Sequence, residues 1–253
     1  MRIFDSHAHY LDAAFDDDRD TLLQKLFDTD VCGIIESATC AQSAKQAVAL
    51  AHRYPHLFAS VGVHPEAAAQ ATDADFDILQ QLSADEKVVA IGEIGLDYHY
   101  EDACPRPVQV EWFCRQLKLA NSLQLPVIVH DREAHEDVLN ILKQYHPQGV
   151  VHCFSGSLET AKEIIKLGMY IGIGGVVTFK NARKLVEVAA SIPLDRLLLE
   201  TDAPYLAPVP YRGHRCDSSL IAYTAAVIAD IRGIGIHEVL SAAEHNACVL
   251  YGI

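Results

Sequence analysis

No run of about 18 consecutive apolar residues occurs in this 253-residue chain, which excludes a membrane-spanning helix of ordinary length. Cys-x-x-Cys pairs are also missing. The seven cysteines are scattered and odd in number, as expected for reduced thiols rather than a disulfide framework or a zinc knuckle. Positive charge is scarce: 20 lysines and arginines face 34 aspartates and glutamates, for a net charge of -14. Proteins that grip long nucleic acid usually carry a basic footprint, so any phosphate affinity here must be local, from bound cations and a few basic side chains. The first residues, Met1 to His7, lack the apolar segment of a signal peptide, so a cytoplasmic protein without membrane association is expected. No internal repeat or low-complexity linker breaks the chain, so one domain over residues 1–253 is expected, with no obligate protein partner evident.

Apolar residues make up 50% of the chain and charged residues 21%, ordinary for a globular protein with a substantial core. Short apolar runs alternate with longer amphipathic stretches. Strands are expected from Ile3, over Val31–Ala38, Leu57–His64, Val88–Asp97, Pro126–Asp131, Gly149–Phe154, Met169–Gly175 and Leu197–Asp202. Between them, helical spacing covers Asp17–Asp28, Ala41–Tyr54, Asp73–Leu82, Val108–Leu123, Glu133–Tyr145, Leu158–Leu167 and Ala182–Ser191. A polar, proline-containing loop is expected over Glu101–Pro107, and two helices, Ser219–Arg232 and His237–Tyr251, close the chain. Eight such alternations in about 250 residues predict a (β/α)8 TIM barrel with one or two extra C-terminal helices. A doubly wound open sheet shares the alternation, but its Gly-x-Gly-x-x-Gly after the first strand is absent.

The ionisable residues collect at the C-terminal ends of these strands: His7 and His9, His64, Glu93 and Asp97, His130 and Asp131, His152, Glu200 and Asp202. In a barrel that end is the catalytic face. Buried charge is costly without partners, and cations would supply them. His7 and His9 point the same way along a strand, about 6–7 Å apart, which suits one metal ion between them. His7, His9 and Asp202 could hold one ion, and His130 and His152 a second, with Glu93 as the bridge. Mixed imidazole and carboxylate donors suit zinc, manganese or iron, and magnesium less comfortably. Two ions about 3.5–4 Å apart can clamp an oxyanion and acidify a water, chemistry that hydrolyses phosphoesters, amides or lactones alike.

An ordered set of motifs runs through nearly the whole chain: Asp5-Ser6-His7-Ala8-His9, Val61-Gly62-Val63-His64-Pro65, Gly92-Glu93-Ile94-Gly95-Leu96-Asp97-Tyr98, Pro126-Val127-Ile128-Val129-His130, His152-Cys153-Phe154-Ser155-Gly156, Thr178-Phe179-Lys180-Asn181-Ala182 and Leu199-Glu200-Thr201-Asp202-Ala203-Pro204-Tyr205-Leu206. Together they resemble the TatD-related metal-dependent hydrolases of the amidohydrolase superfamily. The resemblance implies a metal-dependent deoxyribonuclease-type phosphodiesterase using two divalent ions, with ligands His7, His9, Glu93, His130, His152 and Asp202. Asp202 and Glu93 become the catalytic carboxylates, Asp202 as acceptor of the water proton. His64, Lys180 and Arg212 are candidate phosphate contacts, Arg132 and Ser155 weaker ones, and Asp97 and Glu200 would orient ligands.

The expected substrate is DNA or a short oligonucleotide, attacked near an end because so acidic a protein can contact few phosphates. The segment Tyr211-Arg212-Gly213-His214-Arg215-Cys216-Asp217-Ser218 keeps the arginines of the family's Tyr-Arg-Gly-Lys-Arg-Asn-Glu-Pro-like loop but not its lysine, asparagine or proline. Two other readings exist. One is a superfamily carbonyl hydrolase acting on an amide, a lactone or an aminoacyl ester of tRNA; the other is a binding protein that has kept the barrel without activity.

Overall fold

Eight parallel strands follow one another around one sheet in chain order. They are β1 (Ile3–Ala8), β2 (Val31–Ser37), β3 (Leu57–Val61), β4 (Val88–Asp97), β5 (Val127–Arg132), β6 (Gly149–Val151), β7 (Tyr170–Ile173) and β8 (Leu197–Leu199). The computed structural model describes residues 2–100 and 104–253. Helices fill the connections: α1 (Arg19–Phe27), α2 (Ala41–Ala51), α3 (Asp73–Leu82), α4 (Arg106–Leu123), α5 (His135–Tyr145), α6 (Leu158–Lys166) and α7 (Arg183–Ser191). After β8 a long loop leads to α8 (Ile221–Arg232) and α9 (Ile236–Tyr251). The predicted (β/α)8 barrel with C-terminal helices is the observed fold.

The strands are apolar on both faces because one face lines the barrel and the other meets helices. β4 is buried along its whole length. Phe4, Ile35, Val89, Ile128, Val150 and Leu198, one from each of six strands, fill the floor of the barrel. The last turn of α9 plugs that floor from below, with Tyr251 stacked on Phe4 at 6.5 Å between centroids. A closed floor leaves the opposite end, where the strands terminate, as the open mouth. The barrel closes between β8 and β1 without a regular ladder. An Ala8–Ala203 bridge joins them, with the Asp202 N–H donating to the His7 carbonyl at 3.0 Å and the His9 N–H to the Ala203 carbonyl at 2.8 Å.

Several boundaries differ from expectation; β3, for one, ends at Val61, so His64 lies past it. Helix α4 begins at Arg106, inside the loop expected over Glu101–Pro107, because a proline in the first turn costs no hydrogen bond and fixes a helical φ; residues 101–103 of that loop lie outside the described residues. β6 and β8 stop at Val151 and Leu199, so His152, Glu200 and Asp202 sit on the turns just past their strands. Among the described residues no single helix is long and apolar enough to cross a membrane.

Glycine is required where the strands crowd the mouth. At Gly95, φ is +145°, and a Cβ would run into the His130 carbonyl. Gly95→Ala is therefore expected to destabilise the protein by about 3 kcal/mol, left-handed strain and overpacking together. That corresponds to a loss of roughly 6–12 °C in the thermal unfolding midpoint. A midpoint within a degree of the parent would contradict the close strand approach.

Candidate metal centre

The mouth of the barrel gathers histidines around one buried carboxylate. Glu93, 3% exposed, is delivered by β4 where the register against β5 shifts between Ile91 and Ile94. Its backbone N–H donates to the Ala38 carbonyl at 2.9 Å, turning the side chain inward. Oε1 lies 2.7 Å from His130 Nδ1, 2.7 Å from His152 Nε2 and 3.5 Å from His64 Nε2. Oε2 faces the other way, 3.4 Å from His7 Nε2 and 3.6 Å from His9 Nε2. The two oxygens thus serve two sets of nitrogens.

Asp202 completes the second set, its Oδ1 3.6 Å from His7 Nε2 and 3.4 Å from His9 Nε2. The two imidazoles are nearer than their strand spacing suggests. β1 ends at Ala8, the rings meet edge to face, and their Nε2 atoms stand 3.0 Å apart. Ligands at about 2.0–2.1 Å from a tetrahedral ion are separated by roughly 3.3 Å, so both sets have the spacing and the mixed nitrogen–oxygen chemistry of ion-binding groups. His7, His9 and Asp202 form one such group, His7, Glu93 and His152 another, and His64, Glu93 and His130 a third.

Outer partners fix these rings. His130 Nε2 lies 3.1 Å from Asp97 Oδ2, so the nitrogen on the Glu93 side is left to face the centre. His9 Nδ1 meets the Ser37 carbonyl at 2.9 Å and His7 Nδ1 the Ser37 hydroxyl at 3.1 Å. Glu200, 1% exposed, accepts the Cys153 N–H and lies 4.0 Å from His152 Nδ1. Asp97 and Glu200 thus stand beside ligand candidates rather than among them. Asp202 and Cys153 adopt left-handed backbones, φ 64° and 43°, for residues that rarely do so; such strain tends to sit where side chains must be aimed.

The electrostatics divide sharply between neighbouring rings. Burial lowers His7 to about 4, helped by the charge on His152. Burial works against His9 too, but the hydrogen bond to Asp202 and the Glu93 charge outweigh it and lift His9 to about 10. His130 follows the same pattern: burial is overcome by Asp97 and Glu93, giving about 10. Burial also opposes ionisation of Glu93, yet the charges on His152, His64 and His7 hold it well below the usual carboxylate range. Glu200 is pushed the other way by burial, to about 8.

The sequence-predicted substrate contacts fall into two kinds. His64 lies in the cluster itself, packed edge-on against His130 at 4.6 Å, while its Nδ1 accepts the Glu66 N–H at 3.2 Å. It therefore caps a turn and faces the centre at once. Lys180 and Arg212 are exposed and unconnected to the cluster among the described residues; Arg212 lies over the Phe179 ring at 4.4 Å. Arg132 lies over Tyr100 at 5.0 Å, and Ser155 is exposed.

The altered loop is anchored. Arg215 pairs with Asp18 at 2.7 and 2.6 Å, and the Ser218 hydroxyl donates to Asp5 at 2.7 Å. Asp5 and Ser37 escaped prediction as supports. Ser37 ends β2 on the catalytic face, a usable signal, whereas Asp5 accepts from Thr201 at 2.6 Å across the seam, which no local pattern reveals.

Comparisons with known proteins agree with this geometry. The family model for TatD related DNase matches residues 4–252. The chain is 41% identical to the uncharacterized metal-dependent hydrolase YabD of Bacillus subtilis, over 99% of each chain. It is 33% identical to the 3'-5' ssDNA/RNA exonuclease TatD of Escherichia fergusonii, again over 99% of each. The crystal structure of the TatD homologue YjjV from Escherichia coli superposes with a TM-score of 0.94 at 36% identity, covering 100% of this chain and 98% of that one.

The proton positions give a test. At pH 7 His9 and His130, held at about 10, carry protons, whereas His7, at about 4, does not. A divalent cation taken up by these nitrogens must displace protons, so loading should release at least those on His9 and His130 and tighten as pH rises. Calorimetry in buffers of different ionisation enthalpy measures this; binding without proton release would refute the protonated pair.

Proposed function

The chain belongs to the TatD-related DNase family, and we propose that within it this protein is a divalent-metal-dependent phosphodiesterase acting on the ends of DNA or short oligonucleotides. The observation that carries this reading is the shared Glu93 carboxylate, with nitrogens of two separate groups on its two oxygens. In this reading His7, His9 and Asp202 would hold one ion and His130 and His152 a second, with Glu93 shared as a ligand. The donor set favours zinc or manganese over magnesium. When bound, the ions supply Lewis acidity, activating water and neutralising the charge that builds on the phosphoryl oxygens.

The protein's own groups do the rest. Asp202 is held ionised, since its bond to His9 outweighs the burial that would raise it, so it is ready to take a proton from the attacking water. Water oxygen bonds to phosphorus, the phosphorus–oxygen bond to the leaving nucleotide breaks, and that alkoxide collects a proton. His64 faces the centre beside His130 and can hold a phosphoryl oxygen there. Lys180 and Arg212 stand out from the mouth with no carboxylate partner among the described residues, free to meet the next phosphates. Asp97 and Glu200 keep His130 and His152 in register. The single-domain chain works in the cytoplasm, a placement supported by its seven unpaired cysteines.

Hydrolysis of a short single-stranded oligonucleotide should be lost on chelation and restored by re-adding a divalent cation, with ester and lactone panels assayed beside it. Activity that survives chelation, or appears only on the ester panel, would overturn the proposal. Asp202→Asn is expected to lower kcat about 10²- to 10⁴-fold, and Glu200→Gln about 10- to 100-fold through His152. Because this reading assigns phosphates to His64, Lys180 and Arg212, log affinity against log salt should be shallow, with a slope no steeper than about -2, at roughly -0.7 per phosphate on a single strand. A slope near about -4 would require six contacts and contradict this.

A further inference from the structure

Above the Asp202 side of the cluster stands a tyrosine that the fold holds still without covering. Tyr205 is 53% exposed. Its hydroxyl nevertheless donates to Asp12 Oδ2 at 2.6 Å, and its backbone N–H donates to the Asp202 carbonyl at 2.9 Å. Asp12 is itself fixed, accepting the Ala14 N–H at 2.8 Å three residues beyond His9. The hydroxyl is engaged while about half of the residue stays open to solvent. Leu206, the next residue, is 37% exposed on a left-handed backbone with φ 52°. A rigid, open aromatic surface is therefore tethered at both ends beside a cluster carboxylate.

Charge gives this ring its use. With a net charge of -14, the protein cannot draw much affinity from phosphates. Stacking of a base on an aromatic side chain supplies about 1–3 kcal/mol, whatever the base, and does not depend on positive charge. We propose that Tyr205 is the stacking platform for the nucleobase next to the scissile phosphate, an inference that rests on the oligonucleotide reading above. A base lies on that ring only when it has left its own stack and partner, so the platform selects unpaired ends without selecting sequence. Tyr205 acts on binding and takes no part in proton transfer.

The test compares an oligothymidylate with an oligomer of equal length that is abasic at the terminal nucleotide. The wild-type holoenzyme should favour the complete oligomer about 5- to 150-fold, mainly through KM. Tyr205→Ala should bring that ratio close to one, Tyr205→Phe should keep most of it, and Tyr211→Ala should leave it unchanged. Tyr205→Leu serves the same comparison should the alanine variant not fold. A Tyr205→Ala ratio equal to the wild-type ratio, or a wild-type enzyme indifferent to the missing base, overturns the platform while leaving the hydrolase intact. Failure to cleave either oligomer overturns both.

Discussion

The buried charge of Glu93 is the constraint on which the mouth of this barrel is built. A carboxylate that is 3% exposed costs several kcal/mol unless positive charge or donors surround it, and among the described residues no lysine or arginine pairs with it. Five imidazoles do, drawn from the ends of β1, β3, β5 and β6. Bringing five rings to one carboxylate leaves no room for side chains behind them. At Gly172 a Cβ would strike Glu200, and at Gly95 it would strike the His130 carbonyl. The glycines, the left-handed turns at Cys153 and Asp202, and the carboxylates behind the rings all follow from placing one charge there.

Much of this was legible before any coordinates. His7, His9, Glu93, His130, His152 and Asp202 stand out because ionisable residues at the ends of apolar strands violate the packing pattern, and the barrel rhythm says those ends meet. Distances across the barrel were not legible. His64 precedes a proline and reads equally as a cap or a ligand contact; in the structure its Nδ1 caps the turn while its Nε2 lies 3.5 Å from Glu93. Asp5 reads as part of a motif, yet its work is to receive Thr201 and Ser218 from the far end of the chain. The Arg212–Arg215 segment reads as a basic loop, but Arg215 spends its charge on Asp18. Local sequence reports what a residue is, and the sheet decides whom it meets.

The opposite shifts of His7 and His9 show how finely that sheet discriminates. Two histidines separated by one residue are pushed in opposite directions: burial, with the charge on His152, disfavours a proton on His7, while for His9 the hydrogen bond to Asp202 and the charge of Glu93 overcome the same burial. Protons on His9 and His130 sit where the carboxylates need positive charge. Cation and proton therefore compete for the same places, and the acidity of the medium becomes a term in how readily the centre fills.

The seam between β8 and β1 carries one more implication. Asp202 and His7 are joined backbone to backbone there, although 195 positions separate them along the chain. A nascent polypeptide that stops before Asp202 can hold His7 and His9 but not the carboxylate that faces them. The seam thus acts as a latch: a chain that stops short of Asp202 presents only half of this group, and the group is assembled only where the segment after β8 has closed on β1.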